Sequence, residues 1–324
     1  MAEQKKLLND VVIIRPLAIF LLVVWHSFII YTGGWSEPAG YMPIEGYWWL
    51  AKASYAFMLE LFVFISGYVF CLSLQKKNPS FKNVVVGKIR RLIVPSIIFS
   101  LIYYFLFYDL AEFSVSGFVM NILNGCGHMW FLPMLFWTTL IAYLLNAIKC
   151  PEVVKVVIAL GMVVLSFLPI PLRISSAFYY TFFFYVGMVM YKHKDAILSK
   201  MCNRWIYGVL LGVMFVIVFV VGTFIDRDVL PAYTASDSLV IKGIALLVSK
   251  YIRVVYALAG VFFIYVLVNT LLNIKNITLP NWIKELNTTC FGIFYSSSLY
   301  CKFFIIKHLF QQLLAPTCCH GLDL

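Results

Sequence analysis

The stretch Arg15-Pro-Leu-Ala-Ile-Phe-Leu-Leu-Val-Val-Trp-His26 places two ionisable residues at the ends of one apolar run. Ionisable groups are costly in hydrocarbon, so such a pair indicates a functional site inside a membrane. In a helix, eleven steps of about 100° bring His26 to within roughly 20° of the Arg15 face. The rise is ~16 Å, about half of the hydrocarbon thickness. One helix face is therefore expected to carry a guanidinium near a membrane boundary and an imidazole deeper in.

The rest of the chain has the composition of a multi-pass membrane protein. Its 324 residues are 63% hydrophobic and 12% charged, about half the charged fraction of an average soluble domain. The recurring apolar runs are about 20 residues long, which favours helices over a β-barrel. We therefore predict a single all-α domain over residues 1–324, a polytopic transmembrane helical bundle of nine to ten spans. Nine spans are expected near 11–31, 48–74, 85–108, 129–148, 153–172, 175–191, 205–225, 250–272 and 290–314. The segment 236–249 is too short and polar to span, and we expect it in the interface.

The net charge of +11 indicates membrane topology rather than nucleic-acid binding. With a cytoplasmic N-terminus, the inner side receives most of the Lys and Arg, as the positive-inside rule requires. The inner cluster comprises Lys76, Lys77, Lys82, Lys88, Arg90 and Arg91. The eight cysteines are scattered, with no spacing typical of a metal site, so no metal and no disulfide are predicted. From the distribution of charge we expect a membrane protein with its N-terminus in the cytoplasm.

Four motifs follow one another between about residues 9 and 300. They are Arg15-x10-His26, Phe62–Tyr68 with its Ser66-Gly67 pair, Lys88–Pro95, and His128–Phe136 with Trp130. In this order they resemble the integral-membrane acyltransferase family 3, which includes O-acetyltransferases of bacterial surface polysaccharides. The family core has ten helices and usually an I-Y-L-x-H-like segment in its penultimate helix. Here Ser297 stands where that histidine is expected, and the last helix looks missing or replaced.

The resemblance implies an O-acyltransferase that uses cytosolic acyl-CoA, commonly acetyl-CoA. Its acceptor would be a hydroxyl of a surface polysaccharide, glycolipid or similar lipid-linked molecule, at the lipid bilayer. His26 is the predicted general base, because imidazole titrates near neutral pH. Arg15 is predicted to hold a phosphate or carbonyl of acyl-CoA. Alternatively, Arg15 opens the helix before Pro16 and snorkels to the headgroups.

The other candidate site residues also have structural alternatives. Lys88, Arg90 and Arg91 could dock the phosphates of coenzyme A, although positive-inside sorting alone would explain them. Ser66 could donate to the acyl group, or could simply permit close helix packing with its neighbouring glycine. Substrate-binding candidates are Glu60, His128 and Trp130. Their structural alternatives are helix–helix bonding for Glu60 and an aromatic belt for Trp130.

Two other functions remain open at this point. A non-enzymatic transporter or permease could line its substrate path with the same charges. An inactive, truncated member of the family would explain Ser297 and the short C-terminal end. Neither alternative involves nucleic acid.

Overall fold

The computed structural model describes residues 9–35, 37, 41–108, 114–202, 204–275, 279–290 and 292–297. Within these ranges the protein is all-helical, without β-strands, as predicted. The helices are α1 (Asn9–Phe28), α2 (Glu45–Tyr55), α3 (Met58–Lys77), α4 (Phe81–Lys88), α5 (Val94–Phe107), α6 (Val115–Asn124), α7 (Phe131–Ala147), α8 (Glu152–Leu165), α9 (Ile174–Lys192), α10 (Lys194–Met201), α11 (Trp205–Phe224), α12 (Leu230–Thr234) and α13 (Leu239–Lys275). Residues 281–290 and 292–297 are also helical. The segments Ile89–Ile93 and Ile225–Val229 are π-helical.

Six helical segments of the described chain are long and apolar enough to cross a membrane. They are Asn9–Thr32, Glu45–Lys77, Gly127–Ala147, Ile174–Lys192, Trp205–Thr234 and Leu239–Asn273. They coincide with six of the nine predicted spans, and the prediction of a polytopic helical membrane protein is confirmed. The predicted span 153–172 contains α8, whose 14 residues rise only about 21 Å. The predicted span 85–108 is continuously helical up to residue 107, and α5 forms its last part. The predicted span 290–314 lies mostly outside the described residues.

The span predicted from residue 250 begins earlier in the structure, and the interfacial location of 236–249 stays a prediction. Most of this segment forms the first turns of α13, one continuous helix of 37 residues. A helix of that length rises about 56 Å, well beyond the hydrocarbon thickness. Its early polar residues therefore need not lie in hydrocarbon, and no helix break is required before residue 250.

The core of the bundle is a very close contact between α3 and α9. A Cβ on Gly67 would lie 1.9 Å from the carbonyl oxygen of Phe184, and one on Gly187 would lie 2.1 Å from that of Phe64. Only glycine permits the two backbones to approach so closely. Large buried aromatic side chains such as Tyr68 surround this contact. The packing interpretation of the Ser66-Gly67 pair therefore holds for the glycine.

The ends of the helices cluster at two opposite faces of the bundle. At the first face, Asp10 accepts a hydrogen bond of 2.8 Å from the Tyr68 hydroxyl and lies 3.5 Å from the Lys194 ammonium. At the second face, Arg227 forms an ion pair of 2.6 Å with Glu45. We call the first the basic face and the second the distal face. The basic face, with its adjoining helix ends, carries Lys76, Lys77, Lys88, Arg91, Lys192 and Lys194. The basic face contains residues that the sequence assigned to the cytoplasmic side.

Candidate active site

His26 lies buried near the end of α1, with 5% of its surface exposed. Its Nδ1 is 3.2 Å from the hydroxyl oxygen of Ser297, within hydrogen-bond distance. Its ring stacks on Trp35 at 5.9 Å and meets the His128 ring edge-on at 5.9 Å. Ser297, which the resemblance predicts to stand where a histidine is expected, is thus a direct contact of the predicted base. Sequence reasoning noted Ser297 as a departure but could not place it beside His26.

His128 is held by a glycine turn and by the same helical segment that carries Ser297. Gly127 has a φ of +54°, and a Cβ there would lie 2.5 Å from the Tyr103 ring, so the turn requires glycine. His128 Nε2 lies 3.2 Å from the carbonyl oxygen of Tyr295. Because a carbonyl only accepts, Nε2 is the donor in this contact. Residues 295 and 297 of one helical turn therefore each contact one of the two neighbouring histidines.

A large cavity opens beside the basic face. It has a volume of about 590 Å³, and its lining includes Arg15, Ser66, Phe70, Lys88, Arg91 and Tyr295. The Lys88 ammonium lies 5.3 Å from the centre of the Phe70 ring. Lys88 and Arg91 flank the start of the π-helical segment Ile89–Ile93. Arg90, in the same segment, is exposed and does not line the cavity.

Arg15 also lines a second, smaller space that shares Ser66 with the cavity. This crevice of about 50 Å³ is apolar and is bounded by Ser66, Phe62, Ile19, Leu132, Cys290 and Phe294, among others. Arg15 lies in the second turn of α1, which begins at Asn9, so the helix does not open at this residue. His26 is not part of the crevice wall. Phe294 bounds the crevice, and its ring lies 5.5 Å from the His128 ring.

Glu60 is fully buried and forms its contacts near the distal face. Its Oε1 accepts a hydrogen bond of 3.1 Å from the Tyr179 hydroxyl and lies 3.4 Å from Arg253 Nε. Sequence reasoning weighed only Lys52 as a cation for Glu60 and found it a poor partner. The signal for Arg253 was its position within a predicted span, where a cation needs a partner.

Trp130 lines a separate cavity of about 170 Å³ at the distal face. Its other walls include Tyr55, Tyr179, Tyr180, Lys250 and Arg253. The candidate base and the three candidate substrate-binding residues therefore lie at two separate sites. His26 and His128 are in contact at one site, and Glu60 and Trp130 lie around the distal cavity. Within the described parts of the chain, no group of three or more His, Cys, Asp or Glu side chains could hold a metal ion.

These features define an integral-membrane helical protein with a buried imidazole and a basic internal cavity. The sequence matches the family of the acyltransferase domain over residues 9–317, almost its whole length. The chain belongs to this acyltransferase 3 family, and the family domain makes it an acyltransferase. Comparisons with curated proteins and with solved structures gave no match.

Proposed function

We propose that the chain, as one domain, transfers an acyl group, commonly acetyl, from cytosolic acyl-CoA to a hydroxyl of a surface polysaccharide, glycolipid or similar acceptor. Its setting would be the bacterial inner membrane, with the N-terminus in the cytoplasm. The observation that carries the proposal is the position of Arg15. It is shared between a cavity lined by cations and an apolar crevice whose wall includes Phe294, a ring that lies 5.5 Å from the His128 ring.

The cavity fits the donor chemically. Coenzyme A carries several phosphate charges, and Lys88 and Arg91 would bind them at the basic face. Arg90 lies outside the cavity, so we assign it only a contribution to the positive potential at the rim. Ser66 donates its hydroxyl hydrogen to the carbonyl oxygen of Phe62 at 2.8 Å. It would therefore accept a hydrogen bond from an amide of the pantetheine arm, rather than donate to the acyl group.

In the proposed reaction, His26 accepts the proton of the acceptor hydroxyl and later returns it to the leaving group. The acceptor hydroxyl oxygen attacks the thioester carbonyl carbon while His26 Nε2 takes the hydroxyl proton. The tetrahedral intermediate collapses, the carbon–sulfur bond breaks, and coenzyme A leaves as a thiolate that recovers the proton from His26. Ser297 would hold the ring through Nδ1 so that Nε2 faces the acceptor. His128 is placed to stabilise the developing oxyanion through a hydrogen bond or to contact the acceptor.

Phe294 stands between the donor crevice and the histidine pair. For the thioester to reach His26, this ring has to turn aside, and side-chain rotations of this kind are fast compared with typical turnover. A Phe294→Trp variant should therefore lower the transfer rate without weakening donor binding. An unchanged rate in this variant would contradict the proposed route past Phe294.

The central experiment tests His26 in the full chain, reconstituted in proteoliposomes with labelled acetyl-CoA and lipid-linked glycan. Loss of a general base costs typically 10²–10⁴-fold, so His26→Ala should reduce transfer by that factor. His193→Ala is a matched control, because His193 is exposed and paired with Glu152 at the basic face. Unchanged transfer in His26→Ala would eliminate the proposed base.

Membership of the acyltransferase family favours the enzyme over a transporter or permease. Uptake of substrate into the same proteoliposomes without acyl-CoA would favour the transporter. An inactive family member would give no transfer in the unaltered chain while still binding acetyl-CoA.

A further inference from the structure

Two adjoining cavities form a groove at the distal face that the donor site does not use. The cavity of about 170 Å³ around Trp130 and a neighbouring cavity of about 410 Å³ share Ser176 in their walls. We call them together the distal groove. Its charged side chains are Lys250 and Arg253 in the first cavity and Arg173 in the second.

The positive charge of the distal groove is only partly neutralised by neighbouring carboxylates. Arg253 is paired with Glu60. Over the described ranges, neither Lys250 nor Arg173 has a carboxylate within ion-pair distance. Lys250 lies over the rings of Phe167 and Tyr179, at 5.2 and 5.5 Å. Two cations partly shielded from water and without a counter-ion favour an anionic ligand.

The walls of the distal groove also suit a saccharide. Trp130, Tyr179 and Tyr180 offer aromatic faces that provide contact area with little loss of entropy. Hydroxyl and amide groups of Ser166, Ser175, Ser176, Asn121 and Asn124 provide hydrogen-bonding partners. Mixed aromatic and polar walls of this kind bind an amphipathic ring with several hydroxyls.

A strained turn holds Arg173 in the groove. Leu172 and Arg173 have φ values of +60° and +62°, and such left-handed conformations are strained in residues other than glycine. Asn124 supports both residues, because its Oδ1 accepts from Leu172 N at 2.9 Å and its backbone oxygen accepts from Arg173 Nε at 3.0 Å. The Arg173 guanidinium then lies 5.8 Å from the Trp130 ring.

The distal groove is close to the proposed base. Tyr55 lines the groove and stacks on Trp25 at 4.4 Å. Trp25 is the neighbour of His26 in α1. The Arg253 guanidinium lies 5.1 Å from the same Tyr55 ring. The second cavity is also lined by Gly127, the residue before His128, and the His128 ring lies 5.9 Å from the His26 ring, so this end of the groove adjoins the histidine pair.

We infer that the distal groove binds the acyl acceptor, and that this acceptor is a saccharide carrying an oxyanion, either a carboxylate or a phosphate. Lys250 and Arg173 bind the oxyanion, and the aromatic walls hold the sugar ring. This inference rests on the proposed acyl transfer and adds the charge of the acceptor to it.

Binding can be measured without acyl-CoA, by saturation-transfer NMR on the purified full chain in neutral detergent. The probes are methyl glucuronoside for a carboxylate, glucose 6-phosphate for a phosphate, and methyl glucoside as the neutral analogue. We expect an anionic probe to bind more tightly than the glucoside. Since hydrogen bonds to charged groups are among the strong ones, Lys250→Gln and Arg173→Gln should each weaken that binding about tenfold. Lys242→Gln, an exposed change on the same helix, is the control and should have no effect.

The outcomes separate the possibilities. Binding of the glucuronoside alone or of the phosphate alone supports the inference and identifies the oxyanion. Equal binding of the neutral glucoside, no binding of any probe, or no loss in both variants overturns it. Displacement of the probes by phosphatidylglycerol in the micelle would make the groove a lipid headgroup site and would also overturn it. If anionic probes bind but the chain transfers no acyl group, the proposed function fails instead.

Discussion

Ser297→Ala is the sharpest test of how His26 is held. The change removes one hydroxyl that lies 3.2 Å from His26 Nδ1 and leaves the backbone of the helical turn intact. A hydrogen bond between neutral groups contributes about 0.5–1.5 kcal/mol net. If that energy orients the imidazole in the transition state, kcat should fall about 2- to 12-fold. Because Ser297 does not line the donor cavity, KM for acetyl-CoA should stay unchanged.

The assay is release of coenzyme A, measured by mass spectrometry, from proteoliposomes supplied with acetyl-CoA and lipid-linked glycan. Ser297→Thr retains the hydroxyl and should keep most of the activity. Ser296→Ala is the matched control. Its hydroxyl donates to the carbonyl oxygen of Gly292 and does not reach His26.

Two results would refute the reasoning about Ser297. An unchanged kcat in Ser297→Ala would mean that the contact does not position the ring. A loss of 100-fold or more would mean that Ser297 takes part in the chemistry itself. A parallel fall in the melting temperature would identify a structural effect, which the Ser296→Ala control should not show.

Three further predictions concern the donor site and the core. Replacing Lys88 or Arg91 by Gln should raise KM for acetyl-CoA about tenfold with little change in kcat, because each removes a charged contact to phosphate; equal KM values would exclude this docking site. Arg15→Lys should lower kcat/KM about tenfold, because an ammonium lacks the planar fork of the guanidinium; full activity would leave Arg15 a snorkelling role. Gly67→Ala should destabilise the protein by about 1–3 kcal/mol or more through overpacking against a backbone oxygen of α9, seen as a lower unfolding temperature. Gly161→Ala, where a Cβ meets nothing within 4 Å, is its control and should not lower that temperature.

The sequence alone was sufficient for the class of fold, and it singled out Arg15, Ser66, Lys88 and Arg91, which the structure brings to one cavity. Helical spans depend on apolar runs along the chain, which can be read locally, because lipid leaves the backbone few alternatives to the helix. Arg15 and His26 are likewise related by the geometry of one helix. The start of the span predicted near residue 250 was placed too late, because polar residues in a helix can be accommodated when the helix extends beyond the hydrocarbon.

Only the tertiary structure decided which distant residues meet. Glu60 and Arg253 belong to different helices, and no local periodicity relates their positions. The same holds for His26 and Ser297, which one helical turn near the end of the described chain brings together. Helical periodicity determines which face of a helix a residue occupies, but the packing of helices against one another determines its partners. The sequence therefore determined a helical membrane bundle with a histidine inside a span, and packing decided which residues contact that histidine and which cavities form.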